Sequence, residues 1–500
     1  MSIPTPLASM AAPTTTIPWD TLIQQFTQIL GSRRVIAQEA DLLVYECDGL
    51  TSYRQRPKVV VLPKTTEEVA AVVRLCHQYG VGFMARGSGT GLSGGALPVP
   101  NTVVIATTLM KQILSIDYAN QRVTVQPGVI NAWVTQAIQG EGYFYAPDPS
   151  SQSVCSIGGN VAENSGGVHC LKYGVTSNHI LGLTVVMPDG EIVSLGGLVG
   201  EWPGYDLVGA FVGSEGTLGI ATEITLKIVK SPESVRVLLG DFEHIEQAGA
   251  TVSAIIAAGL LPAGMEIMDN FSINAVEDVV QTQCYPRDAG AVLLVELDGL
   301  AAEVEAASDQ VMAIFREQGS RQILSATDPQ ERLRIWKGRK AAFAAMGKLS
   351  PNYYVQDGVI PRSQLVYVLG EIQKLSQTYG YPVANVFHAG DGNLHPLILY
   401  DLAKPGSLEN VEHLGGEILK LCVRVGGSIS GEHGVGADKR CYMPEMFSPQ
   451  DIETMLWLRR AWDPQGLANP DKIFPTPRTC GESARDYPDL NLNRTDLELY

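Results

Sequence analysis

Five hundred residues exceed the ~250–300 that a single hydrophobic core usually serves, so two or more domains are expected. A formal net charge of −17 excludes the basic footprint that nucleic acid or an anionic membrane would need, which leaves proteins and small molecules as partners. The eight cysteines include no C-x-x-C pair, which excludes a ferredoxin-type cluster and a Cys-rich zinc site and reads as reduced thiols, and no run reaches the ~20 apolar residues of a spanning helix, so a cytoplasmic protein is expected.

Residues 1–16, rich in Pro, Thr and Ala, read as a disordered extension. Asp20 is placed to cap a helix that carries Leu22, Ile23, Phe26, Ile29 and Leu30 on one face and closes at Gly31. Residues 58–62 read as a buried strand, and Thr65-Thr66-Glu67-Glu68 as a capping box opening a helix to Tyr79 and Gly80. A strand then ends at Arg86, followed by Gly87-Ser88-Gly89-Thr90-Gly91-Leu92-Ser93-Gly94-Gly95, five glycines in nine residues. Such a loop exposes backbone N–H groups to an anion. Gly89, Gly91 and Gly94 match G-x-G-x-x-G, but a Rossmann motif must open a helix, whereas Pro98 and Pro100 interrupt the next turns before the strand 102–105. The loop therefore binds pyrophosphate in another way or is a connector. Residues 156–167 and 212–220 form two more Gly/Ser/Asn strings between strand-like runs, and three such loops suit one extended ligand such as a dinucleotide.

Residues 386–400 are two apolar runs around Gly390-Asp391-Gly392-Asn393 and read as a β-hairpin. With Asp391-Gly392 as a two-residue turn, His388 stands directly opposite His395, close enough for both imidazoles to hold one cation. A carboxylate would complete the set, and Gly431-Glu432-His433-Gly434 offers Glu432 and a third histidine. Two histidines and a carboxylate leave positions open for substrate, as in catalytic zinc and non-haem iron sites; a metallohydrolase would use the same ligands.

In this order the motifs Arg-Gly-Ser-Gly-Thr-Gly, Ile-Gly-Gly-Asn, Gly-Ser-Glu-Gly-Thr-Leu-Gly, His-x-Gly-Asp-Gly-Asn-x-His and Gly-Glu-His-Gly resemble the FAD-linked oxidases of the vanillyl-alcohol oxidase superfamily, over residues 35–476. The strings Ser52-Tyr53-Arg54-Gln55-Arg56-Pro57 and Asn469-Pro470-Asp471-Lys472-Ile473-Phe474-Pro475 point the same way. Within the superfamily the chain is most similar to the D-2-hydroxyacid dehydrogenases that oxidise glycolate or D-lactate. The resemblance implies an α+β fold with a two-subdomain FAD-binding domain at 17–232 and a substrate domain of antiparallel sheet and helices at 233–411. A segment at 412–476 returns to the FAD domain, and 477–500 is a tail.

By the same resemblance, Arg86, Gly87, Ser88, Gly89, Thr90 and Gly91 would wrap the FAD pyrophosphate. Pro147, Asp148, Ser156, Gly158, Gly159, Asn160, Gly166, Gly167 and Ile220 would line the rest of the cofactor. Neither residues 86–95 nor 151–167 contain histidine, the residue that attaches flavin in covalent relatives, so noncovalent FAD is expected. A divalent metal (Zn, Mn or Fe) on His388, His395 and Glu432 would bind the substrate hydroxyl. His433 would serve as general base or as a structural neighbour. Arg339, in Trp336-Lys337-Gly338-Arg339-Lys340, would hold the substrate carboxylate bidentately. Phe343 and Leu397 stand where relatives accepting long dicarboxylates carry polar groups, which favours a small acid. A second flavin-domain subunit and an iron–sulfur subunit are implied partners, with association at the inner membrane through them.

Overall fold

Short apolar runs separated by helical periods build three main sheets, and the computed structural model describes them over residues 17–199 and 203–475. The expected extension 1–16 and tail 477–500 lie outside the described residues. The first sheet joins β1 (Val35–Ile36), β2 (Val59–Val61), β3 (Phe83–Arg86) and β4 (Val103–Ala106) in the order β1-β2-β4-β3, with β2, β4 and β3 parallel. Its crossover is the helix Thr66–Tyr79, where the Thr65 side chain accepts the Glu68 amide and Gly80 closes the helix in the left-handed region. The helix Trp19–Leu30 buries Leu22, Phe26 and Leu30 against this layer; Asp20 lies in its first turn, and the N-cap position is Pro18.

A second sheet is antiparallel, with β5 (Ile113–Asp117), β6 (Arg122–Val125), β8 (Ile180–Val186), β9 (Ile192–Gly196) and β10 (Ile220–Lys227) in the order β5-β6-β10-β8-β9. A small ladder pairs β7 (Tyr143–Phe144) with β11 (Val229–Lys230). The stretch read as a second glycine loop contains a short helix, Ile157–Glu163, whose N-cap Ser156 accepts the Gly159 amide. Two adjacent glycines hide it from a helical pattern, yet the local cap suffices to start a turn.

The third sheet is wholly antiparallel: β12 (Ser234–Phe242), β13 (Gly264–Asp269), β14 (Ala291–Gly299), β15 (Gln322–Ala326), β16 (Asn352–Val355), β17 (Val383–His388) and β18 (Pro396–Tyr400), in the order β15-β12-β14-β13-β17-β18-β16. Helices cover both faces, so its central strands read as near-continuous apolar runs. One face packs Leu238, Met265, Ile267 and Phe387 on helices that include Ile245–Ala257 and Ser407–Arg424. The other packs Val237, Leu294, Val386 and Leu397 on Asn270–Val280 and Pro329–Ala345. The expected boundary at 411 falls inside Ser407–Arg424, whose apolar face belongs to this sheet. The chain then reaches back to the first sheet, where the Asn469 amide donates to the Phe83 carbonyl at 2.7 Å and the Phe83 amide to the Leu467 carbonyl at 2.8 Å.

Cys47, Cys76, Cys155, Cys170, Cys284 and Cys422 are free thiols, but Cys441 is disulfide-bonded, against the expectation of reduced thiols throughout. Among the described residues no helix is long and apolar enough to cross a membrane.

Candidate active site

The three glycine strings meet around one cavity of about 450 Å³. Gly87, Ser88, Gly89, Thr90 and Gly91 form one wall, Ser156, Gly158, Gly159 and Asn160 another, and Ile220 closes it from β10. No helix follows the first loop, which rules out a Rossmann site in the structure as in the sequence. A Cβ at position 87 would stand 2.1 Å from Ser156 Oγ, so a larger residue there must displace the side chain that caps the helix Ile157–Glu163. Arg86 does not line the cavity: its guanidinium donates to the carbonyls of Ala96 at 3.1 Å and Cys47 at 2.8 Å, tying the loop ends together. Pro147, Asp148, Gly166 and Gly167 also lie outside the lining. Asp148 instead pairs with His169 Nδ1 at 2.8 Å, while His169 Nε2 reaches Glu296 at 2.9 Å.

At its other end the same cavity is lined by His395, Glu432 and His433, with Lys340, Phe343, Ala344 and Tyr353. The hairpin forms, but in a different register. His388 pairs with Asn393, so the connection is the four residues 389–392, and His395 is its diagonal neighbour on the same face. The loop amides are claimed by neighbouring chain, Gly390 donating to the Met265 carbonyl at 3.3 Å and Leu394 to the Gly358 carbonyl at 2.9 Å, which overrides the tight turn. A shift of two residues preserves face parity, so the histidines still converge, with ring centroids 5.1 Å apart.

His388 Nε2 lies 3.2 Å and His395 Nε2 3.1 Å from Glu432 Oε1, and one ligand atom from each of the three falls within 4.8 Å of the others. His395 is buried, and neither of its ring nitrogens makes a hydrogen bond. An unsatisfied imidazole aimed at a carboxylate and a second imidazole is the donor set of a divalent cation, and the three residues fit one. Burial disfavours charge on His388, yet Glu266 and Glu432, one against each ring nitrogen, hold its pKa well above the ordinary value. Glu432 is held well below the usual carboxylate range, His388 outweighing the effect of burial.

Glu432 and His433 sit on a loop whose backbone is gripped from two sides. The amides of Gly431, Glu432 and His433 donate to Asp357 Oδ2 at 3.0, 2.9 and 2.7 Å. Asp357 Oδ1 is bound by Lys439 Nζ; despite complete burial, that ammonium and the amides hold the carboxyl down at about 2. From the glycine-loop side, Glu215 accepts the amides of Val435 and Gly436 at 2.7 and 2.8 Å, and Ser93 Oγ donates to the His433 carbonyl at 2.8 Å. Burial pushes Glu215 up to about 7 in spite of those amides. Gly434 has φ +82°, and a Cβ there would meet Glu163 Oε2 at 2.3 Å, so this turn requires glycine. Asn469 ties both regions, donating to the carbonyls of Gly95 at 2.9 Å and Glu215 at 2.6 Å.

His433 stacks flat on His395 at 5.0 Å, its Nδ1 3.9 Å from Asp357 and its Nε2 4.0 Å from Glu432. Burial drives its pKa down to about 4 against the pull of Asp357, so the ring is neutral well below the range expected for an ordinary imidazole. Arg339 is fully buried and lies on Glu266, Nε at 2.7 Å and Nη2 at 2.6 Å, while the adjacent Lys340 lines the cavity. Phe343 lines the cavity and meets His395 edge-on at 5.8 Å; Leu397 is in the core behind it. Glu266, Asp357 and Lys439 were not singled out in the sequence. For Glu266 and Asp357 the signal is a lone charge in an apolar run, which demands a buried partner; Lys439, between Asp438 and Arg440, carries no such signal.

A family model described as FAD binding domain matches residues 57–196, and one described as FAD linked oxidases, C-terminal domain, matches 231–473. The chain is 50% identical over 448 residues to glycolate oxidase subunit GlcD of Escherichia coli (strain K12), covering 90% of each protein. It is 34% identical to a D-lactate dehydrogenase of Anaerostipes hadrus, over 90% of this chain and 97% of that one. The crystal structure of p-cresol methylhydroxylase with substrate bound superimposes with a TM-score of 0.77 at 18% identity, over 92% of this chain and 98% of that one, a likeness of fold. The chain is an FAD-binding oxidoreductase and belongs to the FAD-linked oxidase family, with the fold of the vanillyl-alcohol oxidase type.

Proposed function

We propose that this protein oxidises a small 2-hydroxy acid, glycolate to glyoxylate, with noncovalently bound FAD and a divalent metal held by His388, His395 and Glu432. The observation that carries the reading is the single cavity lined at one end by the glycine loops and at the other by His395, Glu432 and His433. A metallohydrolase would not need the first end. D-lactate is the second reading, supported by the 34% identity to a protein of that activity. A subunit that holds flavin without turnover would keep the loops and lose the ligands, whereas both are present here.

FAD held between residues 87–91 and 156–160 would supply the hydride acceptor for the substrate Cα. A divalent metal, Zn²⁺, Mn²⁺ or Fe²⁺, held by His388, His395 and Glu432 would supply Lewis-acid polarisation of the substrate hydroxyl. His433, neutral by burial, accepts the hydroxyl proton at Nε2, and the Asp357 carboxylate 3.9 Å from Nδ1 favours the imidazolium that results. The substrate carboxylate is assigned to Lys340, the cation of the helix Pro329–Ala345 that lines the cavity, in place of Arg339, which Glu266 engages. Phe343 and Tyr353 restrict the space beside the ligands, in keeping with a short substrate.

The division into 17–232, 233–411 and a returning segment is proposed with the last boundary moved past Arg424, as the packing of Ser407–Arg424 supports. Electrons are proposed to leave through a second flavin-domain subunit and an iron–sulfur subunit that bring the protein to a respiratory membrane, because its cysteines lack cluster spacing. Anaerobic mixing of the isolated protein with glycolate, D-lactate, L-lactate and D-2-hydroxyglutarate tests the reading. Bleaching by glycolate or D-lactate, with slow quinone reduction until partners are added, is expected. Bleaching by L-lactate alone would overturn it.

A further inference from the structure

The buried stripe of the helix Pro329–Ala345 is apolar at Ile335, Trp336, Ala342 and Ala345, and carries one charge among them, Arg339. Strand β13 is likewise apolar around Glu266, which is 1% exposed. The two charges meet: both Arg339 Nε and Nη2 lie within 2.7 Å of Glu266 Oε2. Glu266 stands directly opposite His388 in the β13·β17 register, and its other oxygen, Oε1, lies 2.6 Å from His388 Nδ1. His388 Nε2 then points to Glu432. A buried ion pair of this kind is often no more stabilising than apolar residues of the same volume, so stability alone does not account for it.

We infer that Arg339 and Glu266 are positioning residues for the metal centre: Arg339 fixes the Glu266 carboxylate, which accepts the Nδ1–H of His388 and so presents His388 Nε2 as the metal-binding nitrogen. A carboxylate hydrogen-bonded to the far nitrogen of a ligating histidine sets its tautomer and ring orientation and raises its basicity. Arg339 reaches the site through this chain, and the cation of its helix that lines the cavity is Lys340. The inference rests on the metal reading proposed above, and the test separates the two.

The flavoprotein is stripped of metal and titrated with Zn²⁺ and with Mn²⁺ against a chelator of known affinity, with the flavin spectrum and thermal unfolding of the metal-free protein recorded alongside. Glu266→Gln, which keeps the shape, is expected to weaken metal binding by about 10–100-fold with the flavin spectrum unchanged. Arg339→Met is expected to weaken it by roughly tenfold and Arg339→Lys to restore most of that, since either cation can hold the carboxylate. The double variant Glu266→Gln, Arg339→Met is expected to bind no more weakly than Glu266→Gln alone, because the guanidinium acts only through the carboxylate. It also relieves the unpaired charge that could unfold Arg339→Met. Unchanged metal affinity in Glu266→Gln overturns the inference, as does an Arg339→Met protein that binds metal normally but has a raised KM. A wild-type protein that takes up neither ion, nor Fe²⁺ in the same titration, refutes the metal reading itself.

Discussion

The two ends of the cavity are built from opposite materials. At the glycine-loop end much of the wall is backbone: Gly87, Gly89, Gly91, Gly158 and Gly159 bring main chain to the surface, and the side chain of the neighbouring Arg86 ties carbonyls instead of lining the cavity. At the histidine end the lining groups are side chains backed by further buried charges: Glu266 behind His388, Asp357 behind the Glu432 amide, Lys439 behind Asp357. A backbone wall tolerates changes in neighbouring side chains but not an added Cβ. A charge network tolerates small changes of shape but not the loss of one member.

That contrast makes single substitutions informative. The largest effect is expected from Glu432→Ala or His395→Ala, which should abolish metal uptake and slow flavin reduction by roughly 10³-fold or more, the loss of several kcal/mol of charge stabilisation, with the flavin spectrum intact. Metal analysis beside rapid-mixing kinetics would show it, and loss of flavin from these variants would mean that the ends are not separable. His433→Ala should retain both metal and FAD while flavin reduction falls by about 10²–10⁴-fold; metal loss equal to that of Glu432→Ala would make His433 a ligand.

Gly87→Ala attacks the other end. Its Cβ would collide with Ser156 Oγ, at a cost of about 1–3 kcal/mol, so FAD affinity should fall by roughly 10–100-fold while the metal remains. Fluorescence titration of the apoprotein with FAD measures this, and unchanged affinity would show that the two loops do not jointly hold the cofactor. The smallest effect is expected at His169, which joins the two regions through Asp148 and Glu296. Burial opposes its charge, but the Asp148 and Glu296 carboxylates hold its pKa well above the usual value. The stabilisation is therefore complete below the unfolded pKa of about 6.5 and is lost as pH rises through the folded one. His169→Gln should cost about 1–2 kcal/mol at pH 6 and progressively less in alkaline solution, and denaturation across pH would reveal a parallel offset if the histidine were uncharged.

The same contrast decided what could be read from the sequence. The glycine loops were legible because a wall of backbone leaves its composition in the chain, and rejection of the Rossmann alternative needed only Pro98 and Pro100. The convergence of His388 and His395 was legible through parity: the hairpin register was displaced by two residues, but the two histidines kept their face. The helix Ile157–Glu163 was hidden because Gly158 and Gly159 erase its period. Glu266 and Asp357 were hidden for another reason. Glu266 lies 122 residues from His388 and Asp357 75 from Glu432, and no local spacing records a pairing made by sheet order.

The proposed reaction requires the two ends of the cavity to act as one site. Its most direct measurement is the rate at which glycolate bleaches the flavin, in the absence of oxygen, for one preparation taken metal-stripped and then reloaded with a single equivalent of Zn²⁺ or Mn²⁺. Bleaching slowed by orders of magnitude after stripping and restored on reloading, with the same flavin content throughout, is expected. Bleaching at the full rate without metal would contradict it.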